Sequence, residues 1–211
     1  MDNPTEGESL REKIVVGRQK ERMIPTREEC FRLMGQYGML DHIISHSIEV
    51  TKVALFLSSE LNKKGQRIDP TLVEAASLLH DLTKTECLKT KEDHAVTGAQ
   101  LLKGMGYERV GAVVAEHIQL SEGKDPSSVS EEEVVNYADK RVQHDRIVSL
   151  KERFSDLKDR YGKGQWTLGQ LERLEKATFA VENKIFSILE TDPADLQRLQ
   201  FVRPPSDRSS L

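Results

Sequence analysis

From Asp41 to about Lys63 the apolar residues Ile43, Ile44, Ile48, Val53, Leu55, Leu57 and Leu61 recur at helical spacing, and "NKKGQR" stops the run. The other periodic segments keep the same period. "PTREECFRLMGQYG" opens with Pro25, sets Thr26 and Glu29 in capping-box spacing and closes at Gly35 and Gly38. Its apolar residues Phe31, Leu33 and Met34 are expected to face a core. "DPTLVEAASLLHDLTK" has Asp69 as N-cap, Pro70 at the first helical position, and apolar residues nearly all round, as a central buried helix requires.

Two helices of about three turns follow, "KEDHAVTGAQLLKGMG" and "YERVGAVVAEHIQL", separated by Gly104 and Gly106. "SVSEEEVVNYADKRVQHDRIVSLKERFSDLKDRYG" has Ser130 and Glu133 as a second capping box, and reads as one long helix carrying Asp139 mid-way. After "GKGQW" an amphipathic helix is expected from 167 to about 189, then a short one over "DPADLQRL". No segment alternates convincingly as a strand would, so the expected fold is all-α.

At 211 residues the chain is long enough for one domain with a real core and too short for two independent ones. Its 35 acidic and 31 basic residues are interspersed, leaving a net charge of −4 and no basic face for a phosphodiester backbone, so no nucleic-acid partner is expected. No stretch approaches the roughly 18 apolar residues of a membrane span. The acidic start "MDNPTEGESLREK" has no secretory pattern, which suggests a cytoplasmic protein with no membrane partner. Cys30 and Cys87 lack CxxC spacing and read as reduced thiols.

The six histidines are His42, His46, His80, His94, His117 and His144. Four of them, with Asp81 and Asp139, fall near the ends or inner faces of successive helices. A divalent first-row metal needs imidazole nitrogens and carboxylate oxygens converging from several directions, and a helical bundle gives one or two such ligands per helix. Adjacent residues on a helix point about 100° apart, so His80 and Asp81 can both reach one ion only near a helix end. A single histidine on an apolar face is most often an ordinary core residue, and a His-Asp dipeptide is common by chance. The weight lies in the series.

The order His46, His80-Asp81, Asp139 resembles the HD-domain superfamily of metal-dependent phosphohydrolases. The resemblance covers roughly residues 40 to 150 and extends to the surrounding words "HSIEVTKVA", "AASLLHDLTK", "DHAVTGAQLL", "AEH" and "YADKR". It implies an HD helical bundle over 23–150; residues 1–22, charged and without apolar periodicity, read as a flexible lead-in. A helical extension over 151–200 would then pack on the domain or in a homodimer, with a tail over 201–211. In two-metal subfamilies a further histidine pair lies between the doublet and the last Asp, where this chain has His94 and His117. The resemblance thus implies His46, His80, Asp81 and Asp139 on one divalent ion, and Asp81, His94 and His117 on a second. Iron, manganese, cobalt, nickel and zinc all suit such ligands.

Two such cations about 3.5 to 4 Å apart can acidify a water and hold it in line with phosphorus, so hydroxide attack on a phosphate ester or anhydride is the implied reaction. Asp81 and Lys84 are the expected catalytic residues, Lys84 emerging one turn after Asp81 toward the phosphoryl oxygens. The competing reading of Lys84 is a helix-terminal lysine on the negative end of the helix dipole. Arg146, two turns after Asp139 on the expected long helix, is a candidate phosphate contact beside Lys84. His144 is expected at solvent or in an ordinary cap, and His42 as a pocket neighbour.

The HHExxDGxGYP signature of cyclic dinucleotide phosphodiesterases is absent, since "IQLSEGKDP" follows His117. So is the Glu-Asp pair that follows the doublet in alarmone hydrolases. What remains is similar to small stand-alone bacterial HD proteins, among them diadenosine tetraphosphate hydrolases, and implies a nucleotide or related phosphorylated small molecule as partner. Two rival classes stay open: a nucleotide-binding regulatory module that binds without turnover, and a di-iron oxygenase that consumes oxygen without releasing phosphate.

Overall fold

Residues 23–201 are described by a computed structural model of the chain; the expected lead-in over 1–22 and all but the first residue of the expected tail lie outside the described residues. Within them the chain forms α1 (Arg27–Gln36), α2 (Asp41–Lys63), α3 (Pro70–Leu79), α4 (Lys84–Thr90), α5 (His94–Gly104), α6 (Glu108–Ala115) and α7 (Glu131–Lys140). An antiparallel pair of two-residue strands, β1 (Val142–Gln143) and β2 (Arg146–Ile147), comes next. Helices α8 (Leu150–Tyr161) and α9 (Gln165–Leu189) and a 3-10 segment, Pro193–Phe201, complete the described chain. The fold is all-α apart from that hairpin.

Helix starts follow local chemistry. Thr26 accepts from the Glu29 amide, Asp69 from those of Thr71 and Leu72, and Asp93 from those of Ala95 and Val96, while Ser130 and Glu133 close a reciprocal capping box. Pro70 occupies the first turn of α3, where its missing N–H costs nothing.

Helix α3 is the apolar centre. It packs against α1, α2, α6 and α7, and Val73, Ala76, Leu78 and Leu79 are fully enclosed. At roughly 25 cal/mol per Å² of apolar surface, each buried Leu or Val contributes about 1.5–3 kcal/mol, so this helix and its doublet are held firmly. In α1, Cys30, Leu33 and Met34 face the core, but Phe31 does not: it is exposed, with Arg27 stacked 5.4 Å from its ring centroid. Both cysteines are buried free thiols.

The expected single helix from Ser130 to Tyr161 is two helices. Helix α7 stops at Lys140, the hairpin turns through His144 in the left-handed region (φ 59°), and α8 restarts from a third capping box formed by Ser149 and Glu152. The extension lies on the domain itself: Val181, Ile185, Phe186, Leu189 and Leu196 are buried in the common core. Among the described residues no helix is long and apolar enough to cross a membrane.

Candidate metal centre

Five segments deliver the ligand candidates. His46 comes from the second turn of α2, His80 caps α3 and Asp81 follows it, His94 opens α5, His117 follows α6, and Asp139 stands in the last turn of α7. All six line one pocket of about 480 Å³ except His80, which lies wholly enclosed behind it.

Their polar atoms converge on the two carboxylates. His46 Nε2 lies 3.0 Å from Asp139 Oδ1, and His80 Nε2 lies 3.5 Å from the same oxygen and 3.4 Å from Asp81 Oδ2. His94 Nε2 and His117 Nε2 approach Asp81 Oδ1 at 3.1 and 3.7 Å. Ligand atoms of His46, His80 and Asp81 lie within 4.8 Å of one another, as do those of Asp81, His94 and His117. Asp81 therefore belongs to both groups, and Asp139 adjoins the first through His46 and His80.

Three imidazoles are oriented from behind. The Nδ1 atoms of His80 and His117 donate to the carbonyls of Ser77 and Val114, each at 2.7 Å, and that of His46 donates to the His144 carbonyl at 2.9 Å. Carbonyls only accept, so these bonds assign a proton to each Nδ1, and in a neutral ring leave a lone pair on Nε2. That lone pair then faces a carboxylate oxygen in front of His46, while the His94 ring nitrogen stands 3.2 Å in front of His117. His80 Nε2 and Asp81 Oδ1 are enclosed with no hydrogen-bond partner. Buried acceptors facing acceptors are costly unless a cation stands among them. The donor set, nitrogen and oxygen from outer-fixed rings, fits a divalent transition ion on each side of Asp81.

Protonation answers the same demand when no ion does. Burial alone would discharge His80, but Asp81 and Asp139 outweigh it and raise its pKa to about 10. Burial and the neighbouring His80 charge push His117 down to about 3. Burial works to raise Asp81, but the His80, His94 and Lys84 contacts prevail and hold it well below the ordinary range. Asp139 is likewise held down against burial by Lys140, His46 and His80. One proton is thus concentrated on His80, where the carboxylates are densest.

Lys84 is brought to the centre: its Nζ donates to Asp81 Oδ2 at 2.7 Å from the first turn of α4. Arg146 is not. It lies exposed on β2, because α7 ends at Lys140 and the two-turn helical register from Asp139 does not exist. Arg153 and Arg160, from α8, line the pocket instead. His42 lines it as expected. His144 is exposed, as expected, but it is not idle: its carbonyl holds His46 and its ring meets Arg160. Lys140, passed over in the sequence, is buried and donates to Asp139 Oδ2 at 2.8 Å and the His117 carbonyl at 2.7 Å. The spacing Ser149-x-x-Glu152 was the available signal for α8, since it marks a new helix start nine residues past Lys140.

This arrangement, two groups of histidine and aspartate joined by the Asp of a His-Asp doublet in an all-helical bundle, is a candidate metal centre of the HD type. The sequence pattern of the family described as "HD domain" matches residues 43–157, more than half of the chain, and the chain belongs to that family. Among its relatives is a tRNA (cytidine(56)-2'-O)-methyltransferase of Picrophilus torridus, 33% identical over 153 residues, 65% of this chain and 41% of that protein. A protein of the same description from Thermoplasma volcanium is 34% identical over 100 residues, 47% of this chain and 28% of the relative. Ribonuclease Y of Clostridium tetani is 34% identical over 97 residues, 42% of this chain and 17% of the enzyme. The chain thus spans well under half the length of these relatives. No solved structure matches.

Proposed function

We propose that the protein is a metal-dependent phosphohydrolase that cleaves a phosphate ester or anhydride of a nucleotide or related small molecule. His46, His80, Asp81 and Asp139 would hold one divalent ion, and Asp81, His94 and His117 a second. The observation that carries this reading is the pair of candidate ligand groups sharing Asp81, with His80 Nε2 and Asp81 Oδ1 enclosed and without a hydrogen-bond partner. Two bound divalent ions supply an acidified water and a Lewis acid for phosphoryl oxygens.

The chain's own groups do the rest. The Ser77, Val114 and His144 carbonyls hold three rings in the orientation that presents Nε2. Lys84, anchored on Asp81 and partly exposed to the pocket, is placed to meet charge developing on a phosphoryl oxygen. Lys140 steadies the remaining oxygen of Asp139. A small phosphorylated molecule is the partner favoured over RNA, despite the relatives' names, because charges of both signs are mixed along a chain of net −4.

The test is metal content of protein purified without chelator, followed by a phosphate-release screen over nucleotides, dinucleoside polyphosphates and a short RNA, with Asp81→Ala as control. Bound metal and release abolished in the variant support the reading. No bound metal in the unaltered protein overturns it; iron-dependent oxygen uptake without phosphate release replaces it with a di-iron oxygenase, and tight nucleotide binding without turnover with a regulatory module.

A further inference from the structure

Helix α8 turns one edge toward the ligand cluster: Arg153, Leu157, Arg160 and Tyr161 recur at helical spacing and all line the pocket. The two arginines differ in what they already hold. Arg160 is engaged, its Nε donating to Asp156 Oδ1 at 2.9 Å, its NH2 2.8 Å from the same oxygen and 3.1 Å from His144 Nε2. Arg153 is not. Its side chain is only 15% exposed, its Nε is enclosed with no acceptor among the described residues, and its NH1 comes no nearer than 3.6 Å to Asp156 Oδ2. That is too long for a hydrogen bond.

A guanidinium carries five donors and cannot be discharged, so holding one largely out of water with its Nε unpaired and only the distant Asp156 carboxylate beside it is costly until a closer acceptor arrives. A second cation faces the same space. Lys84, from α4, lines the same pocket and stands close enough for the Arg153 charge to act on it, and Asp81 is its only acceptor among the described residues. Two cations from separate elements, Lys84 paired with Asp81 and Arg153 beside Asp156, present their remaining donors to one pocket. The guanidinium fork matches two oxygens of one phosphate, where a lysine offers a point charge. A terminal phosphate carries close to two charges near pH 7, whereas a diester carries one.

We propose that Arg153 is the phosphate-binding residue of this site, gripping with Lys84 a terminal phosphate presented to the ligand cluster, so that monoesters and terminal phosphoanhydrides are selected over diesters. Arg160 is a positioning residue: by holding Asp156 Oδ1 it fixes the carboxylate beside which Arg153 lies. The selection among substrates rests on the phosphohydrolase reading; the binding of phosphate does not.

The experiment uses the full chain stripped of metal over a chelating resin and titrated calorimetrically with inorganic phosphate and, separately, dimethyl phosphate near pH 7.5. Phosphate is expected to bind at least tenfold more tightly than the diester. Arg153→Met should weaken phosphate at least tenfold, Arg153→Lys recover part of the loss, and Arg160→Met weaken it less than Arg153→Met. The proposal is overturned if unaltered protein binds no phosphate, if both ligands bind alike, or if Arg153→Met, melting as the unaltered protein does, binds within twofold of it. In parallel, manganese-loaded protein is assayed on p-nitrophenyl phosphate. A rise in KM with little change in kcat for Arg153→Met supports the proposal, and an unchanged KM overturns it while leaving the phosphohydrolase reading intact. Arg153-dependent phosphate binding with no hydrolysis by unaltered protein supports the anion site and rejects the phosphohydrolase reading alone.

Discussion

Replacing Arg141 by Met should cost this protein a large share of its stability. Arg141 is 1% exposed and ties three segments together: Nε donates to the Val148 carbonyl at 2.7 Å, NH1 to the Tyr137 hydroxyl at 2.5 Å and to Glu182 at 3.3 Å, and NH2 to the Pro193 carbonyl at 3.1 Å. Met preserves the apolar stem but leaves Glu182, only 12% exposed, as a near-buried charge with the Tyr137 hydroxyl as its remaining donor there. Breaking a buried pair in this way costs about 3–5 kcal/mol. At about 2–4 °C per kcal/mol for a chain of this size, the melting temperature should fall by roughly 6–20 °C. Urea unfolding followed by circular dichroism at 222 nm gives the free energy directly. Adding Glu182→Leu should recover at least half of the loss, because the stranded charge is then gone. A loss below about 1 kcal/mol, or a double variant no better than the single, would refute the reasoning that the pair's charge is what the fold must answer.

In metal-free protein His80, raised to about 10 from an ordinary 6.5, contributes stability that is complete below pH 6.5 and lost as pH rises toward 10. His117, lowered to about 3, contributes stability that is lost as pH falls from 6.5 toward 3. Denaturation midpoints across this range should peak near pH 6.5, and bound divalent metal, taking the place of the His80 proton, should remove the alkaline decline; a flat metal-free profile contradicts the assignment. Gly111→Ala should destabilise by about 1–3 kcal/mol in the same assay, because its Cβ would stand 2.8 Å from the Ala99 carbonyl oxygen and from Lys103 Cγ; a neutral result would mean that α5 and α6 separate freely. Lys84→Ala should lower kcat about 10²- to 10³-fold with metal content unchanged; an unaltered kcat reduces Lys84 to the ion partner of Asp81.

Where a helix announced its own beginning, the sequence was legible. Thr26, Asp69 with Pro70, and Ser130 each start helices at the positions their side chains imply. The six ligand candidates were legible for the same reason, since each sits near a helix boundary or on a strongly periodic face. The hairpin was not. Two strands of two residues give no alternation to detect, and the turn depends on His144 taking a left-handed backbone that sequence spacing does not reveal. Running the helix straight through "VQHDRI" placed Arg146 on the site and hid Arg153, whose facing depends on where α8 begins. Phe31 failed for a simpler reason: one aromatic on a short amphipathic helix can lie beside an arginine at the surface as readily as in the core.

The bonds from His80 and His117 to the carbonyls of Ser77 and Val114 have a second effect. Those carbonyls belong to the last turns of α3 and α6, where helix geometry leaves oxygens short of donors. Each imidazole therefore closes a helix end with one nitrogen and presents a lone pair with the other. Terminating the helix and choosing the tautomer become the same event, completed when the bundle folds. An arriving cation meets rings that need not turn or exchange their Nδ1 protons, so little of its binding energy is lost to reorganisation. Any substitution that frays these two helix ends should weaken metal affinity even where every ligand is retained.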